Sequence, residues 1–320
     1  MSKKQIISQS ILIVFTSFLV YSCTKEVTLE FPESEQKIVV DGTIEPGSPP
    51  FIFLTQSNSF NVGVDPSTLG ELLLNGANVI INDGASDFQL QEICVSDLDS
   101  IQLSMLSVSI GISAQQLANI NYCIYTNFSL IGEVGKTYNL TVEYQNTTLT
   151  SATSILTPVT IDSLWFQKNA SDSLGLIHGI LSDPPGEYNA YRWFAQRISL
   201  DTITNEPEDP FFIAPLGSAF DDQFFEGLTF EFFAARGSEF NSDAEEDNNS
   251  EAGLFKSGDT VVVKFCSITE DSYRFYFTLE DQILNNGSPF ATPGNIPSNI
   301  NGGLGIWTGY SPYIDTLILP

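Results

Sequence analysis

The chain has 320 residues, of which 42% are hydrophobic, and its 39 acidic and 12 basic side chains give a formal net charge of −27. A surface this acidic repels the phosphates of nucleic acids and of anionic lipids, so neither is an expected partner. The single histidine, His178, excludes metal sites that need two or three imidazole ligands.

The N-terminus has the organisation of a secretory signal. Lys3 and Lys4 precede an apolar run over 6–20, which is too short and too polar for a membrane span. Residues 1–22 are therefore predicted to be a signal peptide.

The next segment resembles a bacterial lipoprotein cleavage site, because Ser22 places a small residue before Cys23. In lipoproteins that cysteine carries the diacylglycerol. Lys25 and Glu26 resemble the surface-export signal of Bacteroidota lipoproteins. These features predict lipidation at Cys23, a lipidated tether over 23–36, and an outer-membrane location facing the cell exterior. Membrane attachment then depends on acyl chains and not on charge.

Short strands with turn residues between them are predicted throughout 37–157. The clearest apolar or alternating segments are 37–44, 51–55, 77–84, 137–144 and 147–156. They predict an N-terminal β-sandwich of immunoglobulin or transthyretin type. A capping-box pattern at 113–116 predicts a short helix over 114–120.

Pro158 marks the predicted boundary with a C-terminal β-rich domain over 158–320. Strands are predicted near 161–166, 174–181, 188–199, 228–235 and 259–267. An apolar stripe predicts one α-helix near 271–284, with Ser267 as its cap, and the glycines of 301–305 predict a tight turn before the last strand. The predicted fold class is mainly β, with two β-sandwich-like domains.

Three cysteines remain if Cys23 carries lipid, and each of their three possible pairings leaves one thiol. We favour a disulfide between Cys94 and Cys123, because it closes one excursion within one domain. Cys266 lies in an apolar strand pattern, as expected of a small buried hydrophobic residue.

Taken in order, several motifs resemble a family of Bacteroidota outer-membrane lipoproteins catalogued as domain of unknown function four-two-four-nine. The motifs lie at 23–26, 38–44, 76–79, 135–140, 161–163, 183–186, 222–227, 258–261 and 295–307. Members are commonly encoded beside TonB-dependent receptors, so the resemblance implies a receptor-associated role. The family has no assigned catalytic residues, so the resemblance identifies none in this chain and implies no cofactor.

Phenylalanines are concentrated between 211 and 240. Four of them occur as adjacent pairs among Pro, Asp and Glu in predicted loops, namely Phe211, Phe212, Phe224 and Phe225. Aromatic side chains on loops are typical of protein interfaces, so these four are predicted to form a partner surface. The alternative is that all four rings lie in the second domain's own core.

Two further patterns concern modification and metal binding. Asp followed by Ser or Thr and an aliphatic residue resembles the Bacteroidota O-glycosylation signal, although such pairs also start strands. The acceptor residues would be Ser100, Ser163, Ser173, Thr202, Thr260 and Thr316.

Asp243, Glu245 and Asp247 alternate as calcium ligands do, but Asn248 stands where a calcium loop needs glycine. A solvated acidic loop is the preferred interpretation of this segment, and no metal or cofactor is predicted.

We interpret the chain as a non-catalytic accessory binding subunit of a TonB-dependent outer-membrane transporter. The alternative is a lipoprotein subunit of another outer-membrane machine, one that assembles barrels or surface lipoproteins. An enzyme would be a carboxylate-based hydrolase, but the sequence singles out no carboxylate pair. His178 lies in an alternating strand pattern with no serine or cysteine placed beside it.

Overall fold

Strands dominate the computed structural model, which describes residues 35–58, 72–110, 123–169, 173–201, 205–237, 253–285 and 294–320. The strands of the N-terminal half are β1 (Ile38–Ile44), β2 (Phe51–Gln56), β3 (Asn78–Asn82), β4 (Asp87–Gln89), β5 (Gln91–Cys94), β6 (Cys123–Thr126), β7 (Thr137–Tyr144) and β8 (Thr147–Ser154). Those that follow are β9 (Ile161–Lys168), β10 (Leu174–Ser182), β11 (Ala190–Arg197), β12 (Ala219–Asp221), β13 (Thr229–Ala234), β14 (Phe255–Lys256), β15 (Thr260–Ile268), β16 (Leu304–Gly309) and β17 (Ser311–Ile318).

The first sandwich packs a five-stranded sheet, ordered β16-β1-β2-β6-β5, against a four-stranded sheet, ordered β4-β3-β7-β8. Alternation places the core residues. In β7, Tyr138, Leu140 and Val142 are buried while most of their neighbours face solvent. They meet Val40 and Ile52 of the opposite sheet in one apolar core. The predicted β-rich fold is confirmed.

The second sandwich packs β9, β10, β13 and β14 against a sheet ordered β12-β11-β15-β17. Its core includes Ile177 of β10, Trp193 of β11 and Phe265 of β15. The described residues from Gln36 onward belong to one compact unit.

β16 pairs in parallel with β1 and therefore belongs to the first sandwich, although it follows the second sandwich in sequence. Trp307 of β16 is fully buried in the first core. Its indole Nε1 donates to the carbonyl of Tyr138 at 3.0 Å. The turn before β16 forms where the glycines predict it. Gly305 has a φ of +101°, and a Cβ there would lie 1.9 Å from the carbonyl oxygen of Val40.

The first of two described α-helices, α1 (Ser100–Ile110), was not predicted. It begins with a reciprocal cap, since Asp99 accepts from the Gln102 N–H at 2.8 Å and Gln102 accepts from the Asp99 N–H at 2.9 Å. This is an Asp variant of the capping box, in which two helix-end donors are satisfied at once. The helix predicted over 114–120 lies outside the described residues.

The second helix, α2 (Glu270–Leu284), forms where the apolar stripe predicts it. Its cap is Thr269, which accepts from the Ser272 N–H, so the assignment of Ser267 as the cap was wrong. β15 extends to Ile268, so Ser267 is still in the strand, and its hydroxyl instead accepts from the Val159 N–H at 3.1 Å.

Candidate functional site

Seven residues singled out from the sequence lie outside the described residues, and the predictions made for them stay predictions. They are Cys23, Lys25, Glu26, Thr202, Asp243, Glu245 and Asp247.

Cys94 and Cys123 form a disulfide between β5 and β6, as predicted. The two residues are direct partners in the antiparallel ladder. Their Cα atoms lie 3.9 Å apart. This separation is below the usual range of about 4.4–6.8 Å for disulfides. Cys266 is a buried free thiol, and burial raises its pKa to about 12.

Two of the four phenylalanines predicted for a partner surface face the interior instead. Phe211 is only 7% exposed. Phe225 is half-buried on the core of the second sandwich, with its ring centroid 4.1 Å from that of Phe230. An adjacent pair of rings in a turn points in different directions, and the sequence does not show which ring turns inward. Phe212 is also half-buried, and it lines the cleft described below.

Phe224 is 87% exposed on the 222–227 turn between β12 and β13. The turn has its own backbone hydrogen bonds. The Phe225 N–H donates to the Asp222 carbonyl, and the Leu228 N–H donates to the Phe225 carbonyl, both at 2.9 Å. Phe224 therefore projects from an ordered turn.

Two buried carboxylates fix this turn to the second sandwich. Asp222 accepts from the Asn189 N–H at 2.7 Å. Asp183 accepts from the Gly227 N–H at 2.9 Å and from the Tyr191 hydroxyl at 2.6 Å. Desolvation by burial raises the pKa of Asp222. Because the turn is held in place before any partner binds, little ordering entropy remains to be lost on binding.

The surroundings of Phe224 combine apolar and acidic groups. Leu228 is 56% exposed and Tyr188 is 45% exposed. The Tyr188 hydroxyl donates to Asp221 at 3.2 Å, and Glu226 accepts from the Gly186 N–H at 3.1 Å. An exposed ring near anchored carboxylates has the composition of an interface with an aromatic centre and a polar rim.

A cleft of about 510 Å³ opens between β1 and β2 on one side and β11, β15 and α2 on the other. Its size is within the usual range for small-molecule sites. Its wall combines charged and aromatic side chains, including Asp41, Glu45, Phe53, Arg192, Phe194, Phe212, Lys264, Phe275, Tyr276 and Tyr310.

The Lys264 ammonium in the cleft already has partners within the protein. It forms an ion pair with Glu45. Its Nζ lies 5.4, 5.5 and 5.7 Å from the ring centroids of Phe194, Phe212 and Tyr310. A carboxylate and three aromatic rings together satisfy this cation.

The Arg192 guanidinium is also bound. It lies 3.6 Å from the ring centroid of Tyr276. It donates to the Tyr310 hydroxyl at 2.6 Å and to the buried Glu280 at 3.4 Å. Neither cation of the cleft is left without a counter-charge.

Asp41 is the exception among the charged groups of the cleft. Its side chain is solvent-accessible, although both neighbours in β1, Val40 and Gly42, are buried. Desolvation by the surrounding protein raises its pKa, and the Arg192 charge opposes that shift. Among the described residues, no donor hydrogen-bonds to this carboxylate. The sequence signal for Asp41 is an acidic residue in the middle of an otherwise apolar strand.

His178 lies on β10 as predicted, with Nδ1 3.0 Å from Glu231 and the ring stacked on Trp165. Thr260 is half-buried in β15. Four predicted glycosylation acceptors are exposed, namely Ser100, Ser163, Ser173 and Thr316. Their glycosylation stays a prediction.

Metal-binding clusters and membrane-spanning helices are both absent from the described residues. They contain no group of three His, Cys, Asp or Glu side chains placed to hold a metal ion. Neither of their α-helices has the length and apolar character needed to cross a bilayer.

Comparison with known proteins identifies the family. Residues 24–313 match the family described as "Domain of unknown function (DUF4249)". The chain belongs to the DUF4249 family. No curated protein matches it.

Several motifs behind the family assignment have structural roles in this DUF4249 protein. Asp183 and Gly227 are the two ends of a hydrogen bond that holds the Phe224 turn. Asn299 bridges both backbone groups of Trp307, accepting from its N–H at 2.9 Å and donating to its carbonyl at 2.8 Å. These motifs therefore maintain the fold around the turn and β16.

Proposed function

We propose that this protein is a lipoprotein of the outer membrane that faces the cell exterior and serves as a non-catalytic accessory subunit of a TonB-dependent transporter. Lipid on Cys23 would attach it to the membrane, and the segment to residue 36 would act as a tether. The observation that carries the proposal is Phe224, a large apolar ring that is 87% exposed on a fixed turn.

The chemistry of the turn supports a protein partner. A surface of net charge −27 is soluble by itself and does not attract proteins without specificity. A single aromatic side chain on an ordered backbone is typical of the anchor residues that dominate binding energy. The acidic groups beside it, Asp221 and Glu226, would meet basic or hydrogen-bonding groups at the rim of the partner.

The first test is affinity purification of the tagged protein from outer membranes, with the bound barrel measured by mass spectrometry. Phe224→Ala should reduce recovery of the transporter, since losing a buried aromatic anchor costs about 2 kcal/mol, or about thirtyfold in affinity. Phe128→Ala is the matched control, because Phe128 is also strongly exposed, at 67%, but lies in the first half of the chain.

Equal recovery with Phe224→Ala and the parent protein would contradict the assignment of this turn. Recovery of a barrel-assembly machine in place of a transporter would favour the alternative partner.

Cys23→Ser tests the lipid anchor, because a serine offers no thiol for acylation. The variant should be released from the membrane or remain unprocessed, and a processed variant that stays attached would refute lipid anchoring.

A further inference from the structure

β13 is an edge strand of its sheet, and one side of its backbone is unpaired among the residues that the structure describes. Its other side pairs with β10, and the Asp183 N–H continues that ladder by donating to the Leu228 carbonyl at 3.0 Å. Hydrogen-bonded and non-hydrogen-bonded pairs alternate along an antiparallel ladder. The backbone N–H and C=O groups of Thr229, Glu231 and Phe233 therefore point away from β10, and all three residues are exposed.

Another edge strand of the second sandwich, β17, is protected in a way that β13 is not. The Leu319 N–H donates to the Asp259 carbonyl at 2.8 Å, so the same alternation turns the backbone of Pro312 and Thr316 outward. Pro312 has no N–H to donate, and the Thr316 N–H donates to the Asp315 carboxylate at 2.7 Å. β13 contains neither proline nor lysine, which are common protections of an exposed edge. Its outward side is therefore open to pairing.

A pocket of about 260 Å³ lies between β13 and the segment that leads into β12, which is itself an edge strand of the opposite sheet. Its wall is mainly aromatic and includes Trp193, Phe220, Phe230, Phe232 and Phe233. The buried Nε1 of Trp193 has no acceptor in the described part of the chain. The volume is below the usual range for small-molecule ligands and is enough for one side chain.

The free edge and the pocket together fit an extended peptide segment. In an added strand, every second residue presents its N–H and C=O groups to the edge, which matches the outward groups of β13. Its side chains alternate between two faces, so one of them can enter the pocket. A second copy of the chain is disfavoured as the occupant, because two molecules of net charge −27 repel each other.

We propose that the edge of β13 receives an extended segment of a partner protein as an added strand, with one apolar side chain of that segment in the pocket. The inference rests on the proposed function for the identity of the partner and adds the mode of binding. The Phe224 turn leads directly into β13, so the free edge begins where the proposed anchor ends.

Glu231→Pro tests the edge, because it removes one outward N–H without breaking a hydrogen bond to β10. Glu231→Ala is the matched control. It loses the same carboxylate and its contact with His178 but keeps the N–H. Urea unfolding of the two variants checks the fold, and we expect equal midpoints.

The probe is a fluorescein-labelled, end-blocked peptide, Lys-Thr-Val-Thr-Leu-Thr-Val-Lys, whose central residues favour strands. Fluorescence anisotropy with the purified full-length lipoprotein in detergent measures its affinity. The parent and Glu231→Ala should bind it equally, and Glu231→Pro should bind it about tenfold more weakly. A second probe, N-methylated at the central residues, keeps the side chains but lacks the backbone donors, and it should bind the parent about tenfold more weakly as well. Hydrogen exchange over 229–233 should slow when the first probe binds.

Four results would overturn the proposal. They are no binding of the first probe to the parent at millimolar concentration, equal affinity of Glu231→Pro and Glu231→Ala, equal affinity of the N-methylated probe, and dimers of the parent that Glu231→Pro abolishes. The last result would assign the edge to a second copy of the chain. No transporter enters these measurements, so their failure leaves the transporter proposal standing. Failure of the transporter proposal would change the identity of the partner and not the result with the probes.

Discussion

Removing the disulfide between Cys94 and Cys123 opens a covalent loop with a sequence separation of 29 residues. In the chain-entropy treatment, closing such a loop lowers the entropy of the unfolded chain and stabilises the fold by about 3.6 kcal/mol at 25 °C. The disulfide joins β5, an edge strand of its sheet, to the neighbouring strand β6. We therefore expect its loss to destabilise the first sandwich.

The measurement is urea unfolding of the full-length protein, followed by tryptophan fluorescence. The double variant Cys94→Ala with Cys123→Ala should lose about 3–4 kcal/mol of unfolding free energy. Chemical reduction of the parent protein supplies a control without any substitution, and it should lose the same amount. Of the three tryptophans, Trp307 reports on the first core, in which it is buried.

A loss of less than about 1 kcal/mol on reduction would refute the reasoning, because the loop would then be constrained without the bond. A large loss of unfolding free energy in the double variant, with none on reduction, would have a different cause. It would point to cavities left by the substitutions to alanine, since Cys123 is only 5% exposed.

Two further predictions concern β16 and the free thiol. Asn299→Ala removes both hydrogen bonds to the backbone of Trp307 and should cost about 2 kcal/mol in urea unfolding, whereas an unchanged midpoint would show that β16 is held without them. Cys266 is buried, with a pKa raised to about 12, so iodoacetamide should modify it only after denaturation. Rapid labelling of the native protein at neutral pH would contradict this placement.

The strands were predictable because each one carries a local signal. The alternation in β7 and the apolar runs of β1 and β15 show both the element and, for β7, the buried face. The helix over 270–284 was predictable for the same reason. Helix α1, which was not predicted, also has a local signal, because Asp99 and Gln102 form an Asp variant of the capping box.

The topology and the cleft were not predictable in this way. The pairing of β1 with β16 depends on residues at opposite ends of the chain, and no local pattern records it. The surroundings of Asp41 depend on which elements cover its face of the sheet, and α2 and β15 are among them. The directions of Phe224 and Phe225 likewise follow from the tertiary anchors of their turn.

The parallel pairing of β1 with β16 has a consequence for biogenesis. Val39 and Leu304 are neighbours across the ladder, although about 265 positions separate them. A nascent chain that ends before Leu304 lacks an edge strand and the tryptophan that fills the first core. The amino-terminal half therefore cannot reach its final fold during vectorial synthesis, and contact order this high slows folding further.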